Sequence, residues 1–338
     1  MITPKENYMM MVNGEIPEYV PSGNYQDRVQ TAVVGMQAMF GGPGPGGGPP
    51  RDEWVDNWGV PHVAVKEAGN AGIPKPGAFI LEDITKWDKV VKAPEVPDFD
   101  WEANAKTELE NIDRKESLVS SFLAYMPFQR LVAFMGFTEG LCALSEEPES
   151  VKEMLNYIAD YYVPFVEKLA QHYKPDVMTI FDDTASKYAP FFSVQMYRDI
   201  FKPIYERLAK PITDIGGFID FHNCGRCEDF VGDMIDFGSK TWNPAQVDND
   251  LLAIKEKYKG QIAVCGGWEF VPNPDEPVSE EEIRQSVRDS IDKYAPGGGY
   301  AFGGGVLGTA DDAELTRQIN GWVADEAFNY GSSFYKTH

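Results

Sequence analysis

The feature that most constrains the fold begins near residue 100. From there the chain alternates short apolar runs with amphipathic helical stretches, one after another, almost to its end. "SLVSSFLAYM", "DVMTIFDD", "FIDFHN", "SKTWNPA", "QIAVCGG" and "GGGYAFGGG" have the length and composition of buried strands. Helical stretches follow them: "PESVKEMLNYIADYYVPFVEKLAQHY", "SVQMYRDIFKPIYERLA", "CEDFVGDMIDFG", "DNDLLAIKEKYKG", "SEEEIRQSVRDSIDKYA" and "ADDAELTRQINGWVADEAF". Several helices carry their own punctuation: an acidic first turn after Pro148, Ser279 with Glu282 as a capping box, Gly238 and Gly260 as stops. Parallel strands need crossover connections, so six or more such units in a row predict a parallel sheet with helices outside. The expected class is therefore α/β, a single (β/α)8 TIM barrel, with a doubly wound open sheet as runner-up.

At 338 residues the chain suits one such domain, 1–338, with barrel units over 101–338 and an N-terminal helical and loop extension over 1–100. "PKENYMMMVNGE" reads as a short helix, whereas "GGPGPGGGPP" at 41–50 cannot be the interior of a helix or strand. That run is either a linker or an active-site lid, and the nearby Trp54 and Trp58 favour a lid that covers the site. It is no phosphate cradle: it follows no strand, contains prolines and lacks a lysine.

Charge and hydropathy exclude some partners. A net charge of -23 repels phosphate backbones and argues against nucleic acid. No apolar run reaches the roughly 18 residues that a membrane span needs. The first 20 residues lack the layout of a secretory signal, which predicts a cytoplasmic protein with reduced thiols.

In a barrel, reactive groups stand at the C-terminal ends of the strands. His222 and Cys224 lie two apart on an extended segment, so both point to one side and can share an ion. Cys265 ends a later strand, and a His-Cys-Cys set suits zinc with its fourth position open. The plainer alternative is a satisfied core histidine with cysteines acting as small hydrophobes. Cys227 makes a C-x-x-C with Cys224 and reads as packing, a dithiol or an alternative ligand; Cys142, in an apolar helical stretch, reads as core. Asp182 and Asp183 end another strand as a base, metal ligands or a hold for a cation, or else as caps on backbone amides.

"DVMTIFDDTA", "FHNCG", "QIAVCGG" and "GGYAFGGGVLGT", in this order, resemble the uroporphyrinogen decarboxylase superfamily, as does the opening "TPKENYMMMVNGEIPEYVP". The resemblance covers nearly the whole chain and implies a single (β/α)8 barrel. The arginine-rich substrate motif of the decarboxylases proper is not found. H-x-C followed by a distant Cys is instead similar to the zinc-dependent corrinoid methyltransferases. In the coenzyme M enzymes the later Cys sits in the last strand loop, yet "GYAFGGGV" has none and Cys265 lies one strand earlier. The chain thus looks more like the first methyltransferase of anaerobic O-demethylase systems.

That resemblance implies transfer of a methyl group from a methoxylated aromatic to the Co(I) corrinoid (cobalamin) of a partner protein, with Zn2+ on His222, Cys224 and Cys265. Asp182, Asp183 and Glu269 become candidates to protonate the leaving phenolate or to complete the zinc shell. Tyr125, Met126, Phe128, Trp242 and Trp268 become candidates to line an apolar slot for the ring. The chain has no corrinoid-binding D-x-H-x-x-G motif, so the corrinoid is expected on a separate protein. A homodimer is the assembly the family suggests. The competing expectations are methyl transfer from the corrinoid to a thiol or folate, a metal-free decarboxylase using Asp182 or Asp183, and a non-catalytic corrinoid or aromatic binder.

Overall fold

The structure is a computed structural model that describes residues 2–22, 31–33, 52–66, 71–96, 98–124, 126–271, 278–308 and 312–337. Ten strands are described: β1 (Thr31–Val33), β2 (Glu53–Val55), β3 (Pro61–Val65), β4 (Ala71–Pro74), β5 (Leu118–Leu123), β6 (Val177–Phe181), β7 (Phe218–His222), β8 (Ser239–Ala245), β9 (Ala263–Gly267) and β10 (Tyr300–Gly303). Seven of them form one sheet in the order β1-β5-β6-β7-β8-β9-β10, and every pairing in it is parallel. The order is strictly sequential, which is the winding of a (β/α) barrel rather than of a doubly wound sheet that reverses at a switch point. At the far edge, Ser22 bridges to Phe302 of β10, so chain preceding β1 pairs with the last strand.

The sheet is thus not confined to residues 101–338: β1 comes from within the first hundred residues. A three-residue strand is too short to stand out by periodicity. The "GGPGPGGGPP" run lies outside the described residues. After it, β2, β3 and β4 make a small antiparallel sheet of their own. Trp54 of β2 stacks on His62 at 5.4 Å. Trp58 does not stand over the mouth as a cover. It is 4 % exposed, and its Nε1 donates to the Tyr162 hydroxyl at 2.8 Å.

The helices follow the sequence reading closely. Pro4–Val12 opens with a complete capping box between Thr3 and Glu6. Pro148–His172 turns Val151, Leu155, Ile158, Tyr162, Val166 and Leu169 to the core, the stripe that helical spacing requires. Burying each such side chain contributes about 1.5–3 kcal/mol. "SVQMYRDIFKPIYERLA" differs from the single helix expected: it splits into Val194–Met196, a wide π turn over Tyr197–Phe201, and Lys202–Thr213. Pro203 has no N–H to continue a regular ladder, and the Lys202 N–H reaches back to the Tyr197 carbonyl instead. Cys142 is a second difference. The helix Phe137–Glu146 buries Gly140, Ala143 and Leu144, which leaves Cys142 exposed rather than in the core.

Inside the strand layer the packing is stratified. At the floor, Leu118, Val177, Phe218, Ala263, Cys265 and Ala301 pack against Tyr8, Met11 and Val12 of the first helix. One level up, the lining turns polar. Thr179 of β6 and Thr241 of β8 donate to Asp220 of β7 at 3.0 and 2.6 Å. Above Asp220 on the same face of β7 stands His222, at the C-terminal end of the strand.

Candidate metal centre at the strand ends

Two loops build the site, one after β6 and one after β7. The β6 loop carries Asp182 and Asp183, and the β7 loop carries Asn223, Cys224 and Gly225. Asn223 points away from its two neighbours and laces the loops together: its Oδ1 accepts from Thr184 N at 2.9 Å and its Nδ2 donates to Thr184 Oγ1 at 2.8 Å. Gly225 lets them touch. It has φ +86°, and a Cβ there would lie 2.5 Å from the Ala185 carbonyl oxygen.

Asp183, His222 and Cys224 offer one donor atom each, and the three atoms lie within 4.8 Å of one another. Cys224 Sγ is 3.5 Å from His222 Nε2, which is 3.8 Å from Asp183 Oδ1. A tetrahedral ion with ligand bonds of roughly 2.0–2.3 Å spaces its ligand atoms roughly 3.3–3.8 Å apart. Thiolate, imidazole and carboxylate are all zinc ligands, so the donor chemistry and the two separations from His222 Nε2 fit. Among the described residues, no lysine or arginine pairs with any of the three. The Asp183 carboxylate and a Cys224 thiolate would therefore sit together without a protein cation.

Supporting contacts fix each donor. Asp183 Oδ1 accepts from Cys224 N at 2.8 Å, and its Oδ2 accepts from Gln129 Nε2 at 3.3 Å. His222 stacks on Phe181 at 4.1 Å, and its Nδ1 meets Asn243 Oδ1 at 2.9 Å. Burial, helped by Asp183, pushes the Cys224 thiol above its ordinary range. Burial pulls His222 below its usual value.

The remaining sequence candidates lie elsewhere. Asp182 is wholly buried and anchors the helix Phe128–Met135: it accepts from Phe128 N and Gln129 N at 2.8 Å each and from the Tyr205 hydroxyl at 2.6 Å. Desolvation raises its carboxyl well above the usual value in spite of those bonds. Glu269 stands on the rim, 3.4 Å from Lys187. Cys265 sits in the floor cluster, outside the three-donor group. Cys227 is fully buried, with its thiol toward the Asn223 carbonyl at 3.5 Å.

Among the slot candidates, Tyr125 lies outside the described residues. Met126 is fully buried and Phe128 packs among Phe191, Phe192 and Phe201. Trp242 is also fully buried, its Nε1 donating to the Asn223 carbonyl at 3.0 Å. Trp268 is half-buried and donates to Ser286 Oγ at 2.9 Å. The aromatic ring against the donors is instead Phe181, stacked on His222, with Phe122 5.9 Å behind it. Sequence reading missed Phe181 and Asp220, and placed Asn243 at a strand end without giving it a role. The available signal was period two, since Phe181 sits two residues before Asp183 and Asp220 two residues before His222.

Sequentially wound parallel strands with a thiol, an imidazole and a carboxylate gathered at one end define a barrel-type α/β protein whose mouth carries donors that could hold a metal ion. The chain belongs to the uroporphyrinogen decarboxylase (URO-D) family, whose profile matches residues 75–312. No curated protein matches the sequence. Among solved structures, a chain described as a methyltransferase from Methanosarcina mazei aligns over 98% of this chain and 99% of its own length, with a TM-score of 0.56 and 14% identity. At that identity the likeness is one of fold. No described helix is long and apolar enough to cross a membrane.

Proposed function

We propose that the chain is a zinc-dependent methyltransferase that takes a methyl group from a methoxylated aromatic and passes it to the Co(I) corrinoid of a partner protein. The observation that carries this reading is the cluster of Asp183, His222 and Cys224 at the strand ends. Membership of the URO-D family and the shared fold with a chain described as a methyltransferase support it. In the reaction the cobalt supplies the electron pair of the new bond to carbon, and the pair of the broken carbon–oxygen bond stays on the departing phenolate. Zinc held by Asp183, His222 and Cys224 would supply a Lewis acid for that oxygen.

The chain's own residues do the rest. Asn243 and Phe181 orient the His222 ring, and the Cys224 N–H steers Asp183 toward the cluster. Asp182 has its oxygens committed to two helix amides and a tyrosine, so it serves as the anchor of the Asp183 loop. Cys265, in this reading, belongs to the floor.

The test is metal analysis of the purified chain, combined with X-ray absorption at the zinc edge and an assay with a methoxyaromatic and a Co(I) corrinoid protein. One zinc per chain with one sulfur neighbour, and loss of the Co(I) spectrum on mixing, is the expected result. A chain that takes up no zinc, or takes it without sulfur, would overturn the reading. Decarboxylation is the second reading, favoured by the name of the family. It predicts carbon dioxide release that survives Cys224→Ser.

A further inference from the structure

Beneath the donor cluster runs a chain of hydrogen bonds whose direction is dictated from its buried end. Asp220 is 1 % exposed. Its Oδ1 accepts from Thr241 Oγ1 at 2.6 Å, and its Oδ2 accepts from Thr179 Oγ1 at 3.0 Å and from Asn243 at 2.6 Å. A carboxylate has only acceptors. The Asn243 atom that meets it must therefore be the Nδ2 donor, which settles an amide orientation that geometry alone leaves ambiguous. Asn243 Oδ1 then faces the other way, toward His222 Nδ1 at 2.9 Å. A carbonyl oxygen accepts, so Nδ1 must carry the hydrogen. In the neutral ring Nε2 then keeps its lone pair, and it is Nε2 that faces Cys224 Sγ and Asp183.

We infer that Asp220 and Asn243 are positioning residues: a polarity relay that commits His222 to its Nδ1–H tautomer before any ion arrives. This rests on the reading of His222 as a metal ligand only for its purpose; the relay itself is a property of the metal-free chain. Its geometry is built from three adjacent strands, with Thr179 on β6, Asp220 on β7 and Thr241 and Asn243 on β8. The donor that must be aimed is thereby tied to the rigid sheet rather than to a loop.

The decisive variant is Asp220→Asn. It keeps the size of the side chain and leaves His222 and Asn243 untouched, yet a second amide can donate as well as accept. The Asn243 amide is then free to turn over and present Nδ2 to the ring, which selects the opposite tautomer. The tautomer is read from 15N shifts of the imidazole nitrogens in chelator-treated protein. Four histidines contribute, and the signal missing from His222→Gln identifies the one of interest.

The expected result is Nδ1–H in the unsubstituted chain and a mixture of both tautomers in Asp220→Asn, with zinc affinity about tenfold or more weaker in the variant. Nε2–H in the unsubstituted chain, or an unchanged tautomer in Asp220→Asn, would overturn the relay. Should Asp220→Asn fail to fold, the unsubstituted spectrum together with that of Asn243→Leu decides in the same way. If the tautomers behave as stated but neither protein takes up zinc, the relay stands and the metal reading falls.

Discussion

Cys224 and Cys265 are the same chemical group on neighbouring parts of one strand layer, and their surroundings are opposite. Cys224 stands just beyond the end of β7, half-buried, its thiol 3.5 Å from an imidazole and its backbone N–H on a carboxylate. Cys265 sits within β9, 2 % exposed, among Tyr8, Met11, Phe218 and Ala301. Asp183 and Asp182 repeat the contrast one residue apart: one faces the cluster, the other is spent on holding a helix. What separates the members of each pair is depth and direction, not residue type. The upper layer gathers donors that have no protein cation among the described residues, whereas the floor and the helix anchor are closed by contacts already made.

The largest effect that can break this contrast is on metal content. Cys224→Ser is expected to weaken zinc binding beyond the roughly 100-fold that supporting residues reach, since it removes a ligand. Cys265→Ser should leave stoichiometry and affinity unchanged and cost stability instead, because the buried sulfur's packing is lost and a more polar hydroxyl takes its place. Competition against a chromophoric chelator measures both. A Cys265 variant that loses zinc would erase the distinction between the two levels.

The second effect separates the two carboxylates. Asp182→Ala strands the buried Phe128 amide, the half-buried Gln129 amide and the buried Tyr205 hydroxyl, and is expected to lower stability by about 2–4 kcal/mol in urea unfolding. Asp183→Ala should change stability by less than about 1 kcal/mol, because water can replace its bonds at the half-buried mouth. Its loss should appear in zinc affinity instead. Equal destabilisation by both variants would show that the pair works as one structural unit.

These outcomes also mark how far the sequence could be read. The parallel class, the strand ends and the H-x-C pair at 222 and 224 were legible, because alternation and period two are written in consecutive residues. Period two puts Trp242 on the opposite face from Thr241 and Asn243, where it is buried, and the expectation that it lines the slot passed over that signal. Depth was not legible. Cys265 ends its strand motif much as Cys224 follows its own, but strand tilt and register set the height at which each side chain emerges. The floor that surrounds Cys265 is partly supplied by Pro4–Val12, far away in sequence. Nor could adjacency tell Asp182 from Asp183, since the choice depends on where the helix starting at Phe128 presents its amides.

A smaller effect is the pH dependence of zinc binding. Burial holds the Cys224 thiol above its ordinary range and His222 below its own, so near neutrality the metal-free site carries a protonated thiol and a neutral ring. The ligand is the thiolate, so each zinc bound expels one proton, and the ring expels none. Affinity should therefore rise about tenfold per pH unit across neutral pH. Calorimetry in buffers of different ionisation enthalpy counts the proton directly. A pH-independent affinity would mean that the thiol is not a ligand. Cys265, whose thiol burial also pushes up, should release nothing.

The smallest effect concerns Gln129, which touches both carboxylates. Its backbone N–H is held by Asp182 at 2.8 Å, while its side-chain Nε2 reaches Asp183 Oδ2 at only 3.3 Å. Truncation to alanine keeps the first bond and deletes the second. The first bond belongs to the helix anchor and the second to the cluster, so Gln129→Ala tests whether the two functions are separable within one residue. Asp183 keeps its stronger tie to the Cys224 N–H at 2.8 Å, so zinc affinity should fall by only about two- to fivefold, the worth of one weak neutral-donor bond of about 0.5–1 kcal/mol. The unfolding midpoint should stay close to that of the unsubstituted chain, because the amide that caps the helix is untouched. A loss as large as that of Asp183→Ala would show that the side-chain amide, not the Cys224 N–H, orients the carboxylate, and would move the boundary between anchor and cluster onto Gln129 itself.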